Sequence, residues 1–188
     1  MRLSRFAAWT TVAAALAAAV IVAPARAQQP PPSPKPGPEH EILKMDVGVW
    51  DAVVEINPGP GAPPMTSKGI ETNTLGCGGL CLITDFKADM GGTEFHGHGL
   101  AAWNPVKKKY VNTWTDSMSA GVAVGEAAWN AKTRQMSGWM EGPDATGTVM
   151  KTRSVGEHKG ATRVFTAYAP GPDGKEMQIM RITYTKRK

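Results

Sequence analysis

The feature that most constrains this chain is a long series of segments in which apolar and polar residues alternate. Helical periodicity ends at Gly48, and a period of two residues, typical of strands with one buried face, replaces it. Gly, Pro, Asn and Asp separate the segments, as expected of turns. The pattern predicts about ten strands, approximately at residues 50–56, 67–75, 80–86, 95–103, 110–118, 122–130, 136–140, 148–155, 163–168 and 176–185.

Two neighbouring stretches, 101–110 and 127–136, resemble each other. Each contains Ala-Ala-Trp-Asn, then a short basic turn, and each leads into a return strand with a tryptophan, Trp114 or Trp139. A repeated hairpin of this kind predicts an antiparallel meander. Closing the meander into a barrel removes the exposed edge strands, so we predict a single all-β barrel domain with a short N-terminal helix.

The first 27 residues have the pattern of an export signal. Arg2 and Arg5 precede an apolar run, and Ala25-Arg26-Ala27 ends the segment with a small-x-small cleavage pattern. We therefore expect residues 1–27 to be a signal peptide and the protein to be exported, to a bacterial periplasm or outside the cell. After cleavage no membrane span is expected.

A proline-rich tether and the folded domain follow the signal. Residues 28–38 contain six prolines, which favour an extended tether. Residues 39–45 are predicted to form the short helix, and 39–188 the barrel domain. Three of the 21 Lys and Arg residues leave with the signal, and the remaining basic runs are Lys107-Lys108-Lys109 and the C-terminus. Such short runs disfavour nucleic acid as a partner.

A short helix followed by Gly48-Val49-Trp50 resembles the Gly-x-Trp signature of lipocalins and related calycin barrels. The resemblance implies that Trp50 closes one end of the barrel. It also implies that a basic residue from a late strand, Arg153 or Arg181, packs over the indole.

A wider resemblance covers residues 37–185. The sequence is similar to a bacterial family known as domain of unknown function 1579, whose members are often exported. The similarity implies a calycin-like barrel and brings no established activity. The stretches that carry it are Gly-Pro-Glu-His at 37–40, Gly-Val-Trp at 48–50, Lys-Tyr-Val-Asn-Thr-Trp-Thr-Asp-Ser at 109–117, Asp-Gly-Lys-Glu at 173–176 and Ile-Thr-Tyr-Thr at 182–185.

A barrel of this size has room for a ligand, and alternation from Trp50 predicts which residues line it. Asp116 with Arg153 or Arg181 is a candidate internal ion pair that orients a polar ligand group; a purely structural pair is the alternative. The methionines fit either an adaptable lining or a filled core. The predicted lining is Phe86, Phe95, Trp103, Trp114, Asp116, Met118, Met140, Met150, Tyr168, Met180, Ile182 and Tyr184.

A second hypothesis is a copper or zinc site. Glu94, His96 and His98 alternate on one strand face, with His40 as a distant further ligand. The opposite face of this strand is more apolar, so the histidine face is expected to point to solvent. His158 lies in a predicted turn, and because no histidine follows it on a late strand, haem is disfavoured.

Cys77 and Cys81 are the two cysteines of the chain. In an oxidising compartment this Cys-x3-Cys pair is predicted to form a small disulfide loop. A reduced pair, a copper(I) site and a redox switch are the alternatives. The spacing differs from the Cys-x-x-Cys of thioredoxin-like enzymes.

Hydrolase, metalloprotease and phosphate-loop motifs do not occur in the sequence, so no catalytic residue is assigned. We interpret the chain as an exported barrel that binds a small, largely apolar ligand. A copper or zinc binder, a catalytic barrel with an internal Asp/Arg pair, and a structural envelope module are the alternatives. The cofactor and the oligomeric state stay unknown at this point. The ligand-binding candidates are Trp103, Trp114, Asp116, Arg153, Arg181 and Tyr184.

Overall fold

A computed structural model of the protein describes residues 32–59 and 61–188, so the predicted signal peptide and residues 28–31 of the tether lie outside the described residues. These residues form one α-helix and ten β-strands. The elements are α1 (Pro38–Lys44), β1 (Gly48–Ile56), β2 (Met65–Gly76), β3 (Cys81–Asp89), β4 (Glu94–Asn104), β5 (Lys109–Asp116), β6 (Ala123–Asn130), β7 (Gln135–Pro143), β8 (Val149–Lys159), β9 (Thr162–Pro170) and β10 (Glu176–Lys186).

The strands form a closed antiparallel barrel. Each strand pairs with its neighbours in sequence, and β1 pairs with β10 to close the sheet. The predicted barrel of about ten strands with a short N-terminal helix is therefore confirmed. Most strand boundaries differ from the predicted ones by one to four residues; β5, for example, ends at Asp116, so Met118 lies in the following turn. No helix of the described part of the chain has the length and apolarity needed to cross a bilayer.

The helix α1 covers one end of the barrel, which we call the closed end. Pro38 occupies the first turn of α1, where a missing N–H costs no hydrogen bond. Leu43 is buried against Leu82 and Tyr110, and the Tyr110 hydroxyl donates to the carbonyl oxygen of Glu39 at 2.8 Å. These contacts attach the helix to β3 and β5. We call the opposite end the far end. The described residues that connect the strands there are 57–59, 61–64, 90–93, 117–122, 144–148 and 171–175.

The strand register shows which residues point inward. Trp50 aligns with Glu71 on β2, Glu71 with Phe86 on β3, and Phe86 with Gly97 on β4. The predicted lining is inward except at two positions. Met118 lies in a turn, and Tyr168 points outward because it aligns with the outward-facing Arg153.

Strands β1, β3 and β10 carry large inward side chains that pack against one another. Val54 is completely buried and Trp50 is 1% exposed. We call this group the packed wall. Its members are Trp50, Ala52, Val54, Phe86, Ala88, Ile182 and Tyr184.

Strands β5 to β8, on the other side of the barrel, carry mostly small inward residues. Apart from the buried Gly125, these residues stay partly exposed or, at Met150, exposed. We call this group the small-residue wall. Its members are Asn112, Trp114, Asp116, Ala123, Gly125, Gly138, Met140, Gly142, Met150, Thr152, Ser154 and Gly156.

Candidate functional site

A buried cluster of charged residues lies at the closed end and is organised by Arg163 on β9. Nη1 of Arg163 is 3.0 Å from Oδ1 of Asp46, and Nη2 contacts Oε1 of Glu71. The guanidinium carbon stacks 3.9 Å from the ring centroid of Tyr184 and 4.9 Å from that of Trp50. Arg163 therefore joins two carboxylates to the aromatic floor of the barrel.

The predicted basic residue over Trp50 is thus present, but it is Arg163. The prediction of Arg153 or Arg181 for this role is wrong. Both residues stand at positions of their strands whose side chains point out of the barrel. Arg153 donates two hydrogen bonds to the Glu176 carboxylate, at 2.8 and 2.6 Å. Arg181 lies 4.0 Å from Glu55.

The predicted pairing of Asp116 with Arg153 or Arg181 is wrong for the same reason. Asp116 points inward near the far end and accepts three hydrogen bonds from its own strand and turn. The donors are Nε1–H of Trp114 and the backbone N–H of Met118, each at 2.8 Å, and the hydroxyl of Ser119 at 3.0 Å. These bonds fix the orientation of the Trp114 indole.

Burial shapes the protonation of the charged cluster. Burial raises the pKa of Asp46 against the opposing charge of Arg163. Burial lowers the pKa of His158, whose ring lies edge-on to Trp129 at 5.5 Å. For Arg163 burial acts to lower the pKa, but the charges of Asp46 and Glu71 outweigh it and raise the pKa. The cluster therefore favours a charged arginine and a neutral histidine.

A chain of hydrogen bonds extends this cluster along the barrel wall. Nδ2 of Asn73 donates to Glu71 Oε1 at 2.6 Å, and the Thr84 hydroxyl donates to Asn73 Oδ1 at 2.6 Å. Glu71 and Asn73 are 5% and 1% exposed. Both polar atoms of the Asn73 amide thus have partners, which offsets the cost of burying them.

The predicted ligand residues Trp103 and Tyr184 lie in packed regions. Trp103 stacks on Tyr110 with ring centroids 5.1 Å apart and belongs to the packing beneath α1. Tyr184 is 5% exposed, and burial raises its pKa well above the ordinary value. Their contact with a ligand stays a prediction.

Trp114, by contrast, borders the less filled part of the barrel. Its indole lies along β4, where a Cβ at Gly97 would collide with the ring and a Cβ at Gly99 would lie 3.1 Å from Cε3. The two glycines let the ring lie flat against β4, where it also packs against the packed wall.

Asn112 is an inward residue that sequence reasoning missed. Its side-chain oxygen is buried without a hydrogen-bond partner. Asn112 aligns with Ala101 on β4 and with Gly125 on β6, so small residues flank it on both sides. Asn112 lies two residues before Trp114 on β5, and this period-two spacing is the sequence signal that indicates an inward side chain.

Apolar side chains also surround the far end. Val122 and Val149 are 55% and 66% exposed, and Met65, Met118 and Met150 are between 39% and 49% exposed. This apolar rim adjoins the small-residue wall. An apolar molecule entering the barrel from this end would meet apolar surface before it reached the interior.

The candidate metal residues lie on the outer surface of β4, as expected from strand alternation. His96 Nε2 is 2.8 Å from Glu94, and His98 Nδ1 is 2.5 Å from Asp85. His40 is buried in α1, where its Nδ1 accepts the backbone N–H of Gly37 at 2.9 Å. Over residues 32–59 and 61–188, no three His, Cys, Asp or Glu side chains gather as metal ligands would.

The two cysteines flank a tight turn at the closed end. Their Sγ atoms are 2.7 Å apart, and both are free thiols in this structure. Cys77 is exposed and has a positive φ of 54°, whereas Cys81 is buried. Burial raises the pKa of the Cys81 thiol, with Cys77 acting in the same direction. The disulfide stays a prediction.

Two depressions on the outer surface do not belong to this interior. One, of about 630 Å³, lies over β1 to β3 and includes Asp51, Lys68 and Lys87. The other, of about 290 Å³, includes Trp139 and Arg153. Charged outward side chains line part of both depressions.

A closed antiparallel barrel, with a short helix over one end and an arginine stacked on the first-strand tryptophan, defines a lipocalin-like protein. The S-type phycobiliprotein lyase CPES from Guillardia theta has a similar fold. The TM-score is 0.55 at 10% sequence identity, and the match covers 80% of this chain and 93% of that one.

The chain belongs to the family described as protein of unknown function DUF1579, whose model matches residues 35–186. This match confirms the resemblance seen in the sequence. Among curated proteins, none matches the sequence significantly.

Proposed function

We propose that this protein is exported and binds a small, largely apolar ligand inside its barrel, between the packed wall and the small-residue wall. The observation that carries the proposal is the partial exposure of inward residues on β5 to β8. Ser154, Thr152 and Met140 point inward, yet each is only partly buried. Closely packed barrels bury such positions, so partial exposure indicates space inside.

The chemistry of the lining supports an apolar ligand. Trp114, Met140 and Met180 offer aromatic and thioether surface, and methionine adapts to ligands of different shape. Gly125, Gly138 and Gly142 on β6 and β7 let the two strand backbones approach closely, because a Cβ at each would collide with the neighbouring strand, and they add no side chain to the interior. The likeness to a phycobiliprotein lyase is one of fold, so the proposal depends on the interior of this chain.

A space-filling variant tests the proposal. Ser154 aligns with the small residues Gly138 and Ala167, so Ser154→Trp would place an indole in the proposed cavity. Ser137 on the adjacent strand points outward and is exposed, which makes Ser137→Trp the matched control. Binding of the uncharged dye N-phenylnaphthylamine is measured by fluorescence titration, and circular dichroism verifies folding.

We expect the wild-type protein and Ser137→Trp to bind the dye equally. Ser154→Trp is expected to bind at least about tenfold more weakly, which corresponds to about 1.4 kcal/mol. Equal binding by all three proteins would place the dye outside the barrel, and no binding by the wild type would refute the cavity.

Export and the disulfide are part of the proposal and have their own test. The mass of the protein recovered from a periplasmic fraction should correspond to a chain that begins at Gln28. It should be two daltons below the mass of the dithiol form, since a disulfide between Cys77 and Cys81 loses two hydrogens. A full-length chain confined to the cytoplasm would contradict export, and two alkylated thiols would contradict the disulfide.

A further inference from the structure

The charges inside the barrel limit the chemistry of the ligand. Over the described residues, the charged side chains that point into the barrel above the floor are Glu71, Asp116 and Arg163, and Asp46 joins them at the closed end. Three of these four are acids.

The single arginine of this group is engaged through both terminal nitrogens, and only its Nε is buried without a hydrogen-bond partner. Asp46 and Glu71 both bind its guanidinium, and Tyr184 and Trp50 pack against its faces. Lys186 also lies near Trp50, but it is exposed at the closed end. A carboxylate or phosphate ligand would therefore enter an acidic interior without a free cation to bind it, which is unfavourable in a poorly solvated site.

Asn112 offers a different kind of contact. Its Oδ1 is a hydrogen-bond acceptor that is cut off from water and has no partner. Such an atom lowers stability unless something binds it, so it calls for a specific explanation. The contrast with Asn73 is direct, because that second inward asparagine is bound through both its oxygen and its nitrogen.

The inward neighbours of Asn112 are small or aromatic. Ala101 and Gly125 flank it across the sheet, and Trp114 is the next inward residue on the same strand. A ligand whose apolar part lies along the indole would place its polar end near the amide. Rotation about the two side-chain torsions of Asn112 would then bring its oxygen to this group.

We propose that the ligand is not an anion and carries a hydrogen-bond donor, as a primary amide or an alcohol does, and that Asn112 accepts this donor. The inference rests on the proposed function and deepens it by naming the ligand class. The acidic interior disfavours a carboxylate, and the unpartnered oxygen of Asn112 favours a donor over a group that can only accept.

Three probes with the same alkyl chain test the ligand class. Dodecanamide has a donor, methyl dodecanoate has none, and dodecanoate is an anion. Each competes with bound N-phenylnaphthylamine on the wild-type protein and on Asn112→Leu. We expect dodecanamide to displace the dye at least about tenfold more effectively than methyl dodecanoate, with dodecanoate the weakest.

The variant separates a binding role of Asn112 from a structural one. Asn112→Leu should lose the preference for dodecanamide over methyl dodecanoate, with each competition corrected for the affinity of the variant for the dye, because the dye itself carries an N–H donor. Its urea unfolding midpoint should equal or exceed that of wild type, because an unpaired buried oxygen is removed. The matched control Asn73→Leu breaks two existing hydrogen bonds and should lower the midpoint.

The outcomes distinguish this inference from the proposed function. Absence of dye binding by the wild type refutes both. Dye binding that dodecanoate displaces as well as dodecanamide, or an amide preference that survives in Asn112→Leu, overturns the ligand class and leaves the cavity intact. If Asn112→Leu is less stable than wild type and still prefers dodecanamide over methyl dodecanoate, Asn112 has a structural role only and the proposal is overturned.

Discussion

The packed wall and the small-residue wall are built by the same strand alternation but differ in what they place inside the barrel. On β1, β3 and β10 the members of the packed wall, most of them large, are at most 9% exposed. On β5 to β8 glycine, alanine, serine and threonine occupy most of the equivalent positions and remain accessible. The difference indicates that one side of the barrel supplies stability and the other supplies space.

The closed end of the barrel differs from the small-residue wall in its polar groups. Its polar groups are nearly all paired with one another, as in the set formed by Asp46, Arg163, Glu71 and Asn73. A buried network of this type stabilises a fold only while every member is present. We therefore expect substitutions at the closed end to affect stability, and substitutions on the small-residue wall to affect binding.

The largest effect is expected for Arg163→Met. Removal of the guanidinium leaves Asp46 and Glu71 buried without a cation, so the free energy of unfolding should fall by about 3–5 kcal/mol. Urea denaturation measures the loss. The additional change Glu71→Gln should recover part of it, because one uncompensated charge is removed.

Arg153→Met is the control for this prediction. Arg153 pairs with Glu176 on the outer surface, where such pairs contribute at most about 1 kcal/mol. Equal losses for the two arginine variants would show that the closed-end network does not stabilise the fold.

A smaller effect is expected for Trp114→Ala. A buried tryptophan such as Trp50 contributes about 3–5 kcal/mol, whereas the partly exposed Trp114 should contribute about 2 kcal/mol. The same variant should bind N-phenylnaphthylamine more weakly, because the indole borders the proposed cavity. If Trp114→Ala is as destabilising as Trp50→Ala and binds dye normally, the two walls do not differ as described.

The smallest effect concerns pH and His158. Burial lowers the pKa of this histidine below its ordinary value of 6.5, so the unfolded chain takes up its proton at a higher pH than the folded one. The contribution of His158 to the free energy of unfolding has its full value above pH 6.5. It decreases as the pH falls towards the pKa of the folded state, by at most about 1.4 kcal/mol per pH unit.

Urea unfolding of wild type and His158→Gln at several pH values measures this contribution. Asp46 acts in the opposite sense, since its raised pKa makes stability fall as the pH rises above its ordinary value of 3.8. We expect the difference in stability between wild type and variant to shrink as the pH falls below 6.5. A pH-independent difference would show that His158 titrates alike in both states.

The sequence predicted the barrel because the alternation of strands and the turn residues are local signals. It also predicted the inward placement of Trp114 and Asp116, since both share strand parity with the apolar face of β5. The register between distant strands is not a local signal. For that reason the sequence does not identify Arg163, which lies 113 positions from Trp50, and the two residues predicted in its place, Arg153 and Arg181, point outward.

The sequence also does not identify the polar residues of β2 that point into the barrel. On β2 the inward residues include Ser67, Glu71 and Asn73, and the outward ones include Lys68 and Ile70. Hydrophobicity does not separate these two faces. Glu71 is accommodated inside only because a partner from β9 reaches it, and only the folded structure reveals that pairing.

The methionines offer the most direct test of the central claim, that the ligand lies between the two walls near the far end. Met140, Met150 and Met180 point into this region. Met136 packs beneath α1 at the closed end, and Met45 ends the helix. Methyl NMR of the methionines during titration with N-phenylnaphthylamine therefore reports on both regions in one sample.

We predict that the methyl signals of Met140, Met150 and Met180 shift in proportion to dye binding while those of Met136 and Met45 stay in place. Shifts confined to Met136 and Met45, or dye binding that leaves all five signals unchanged, would contradict the account.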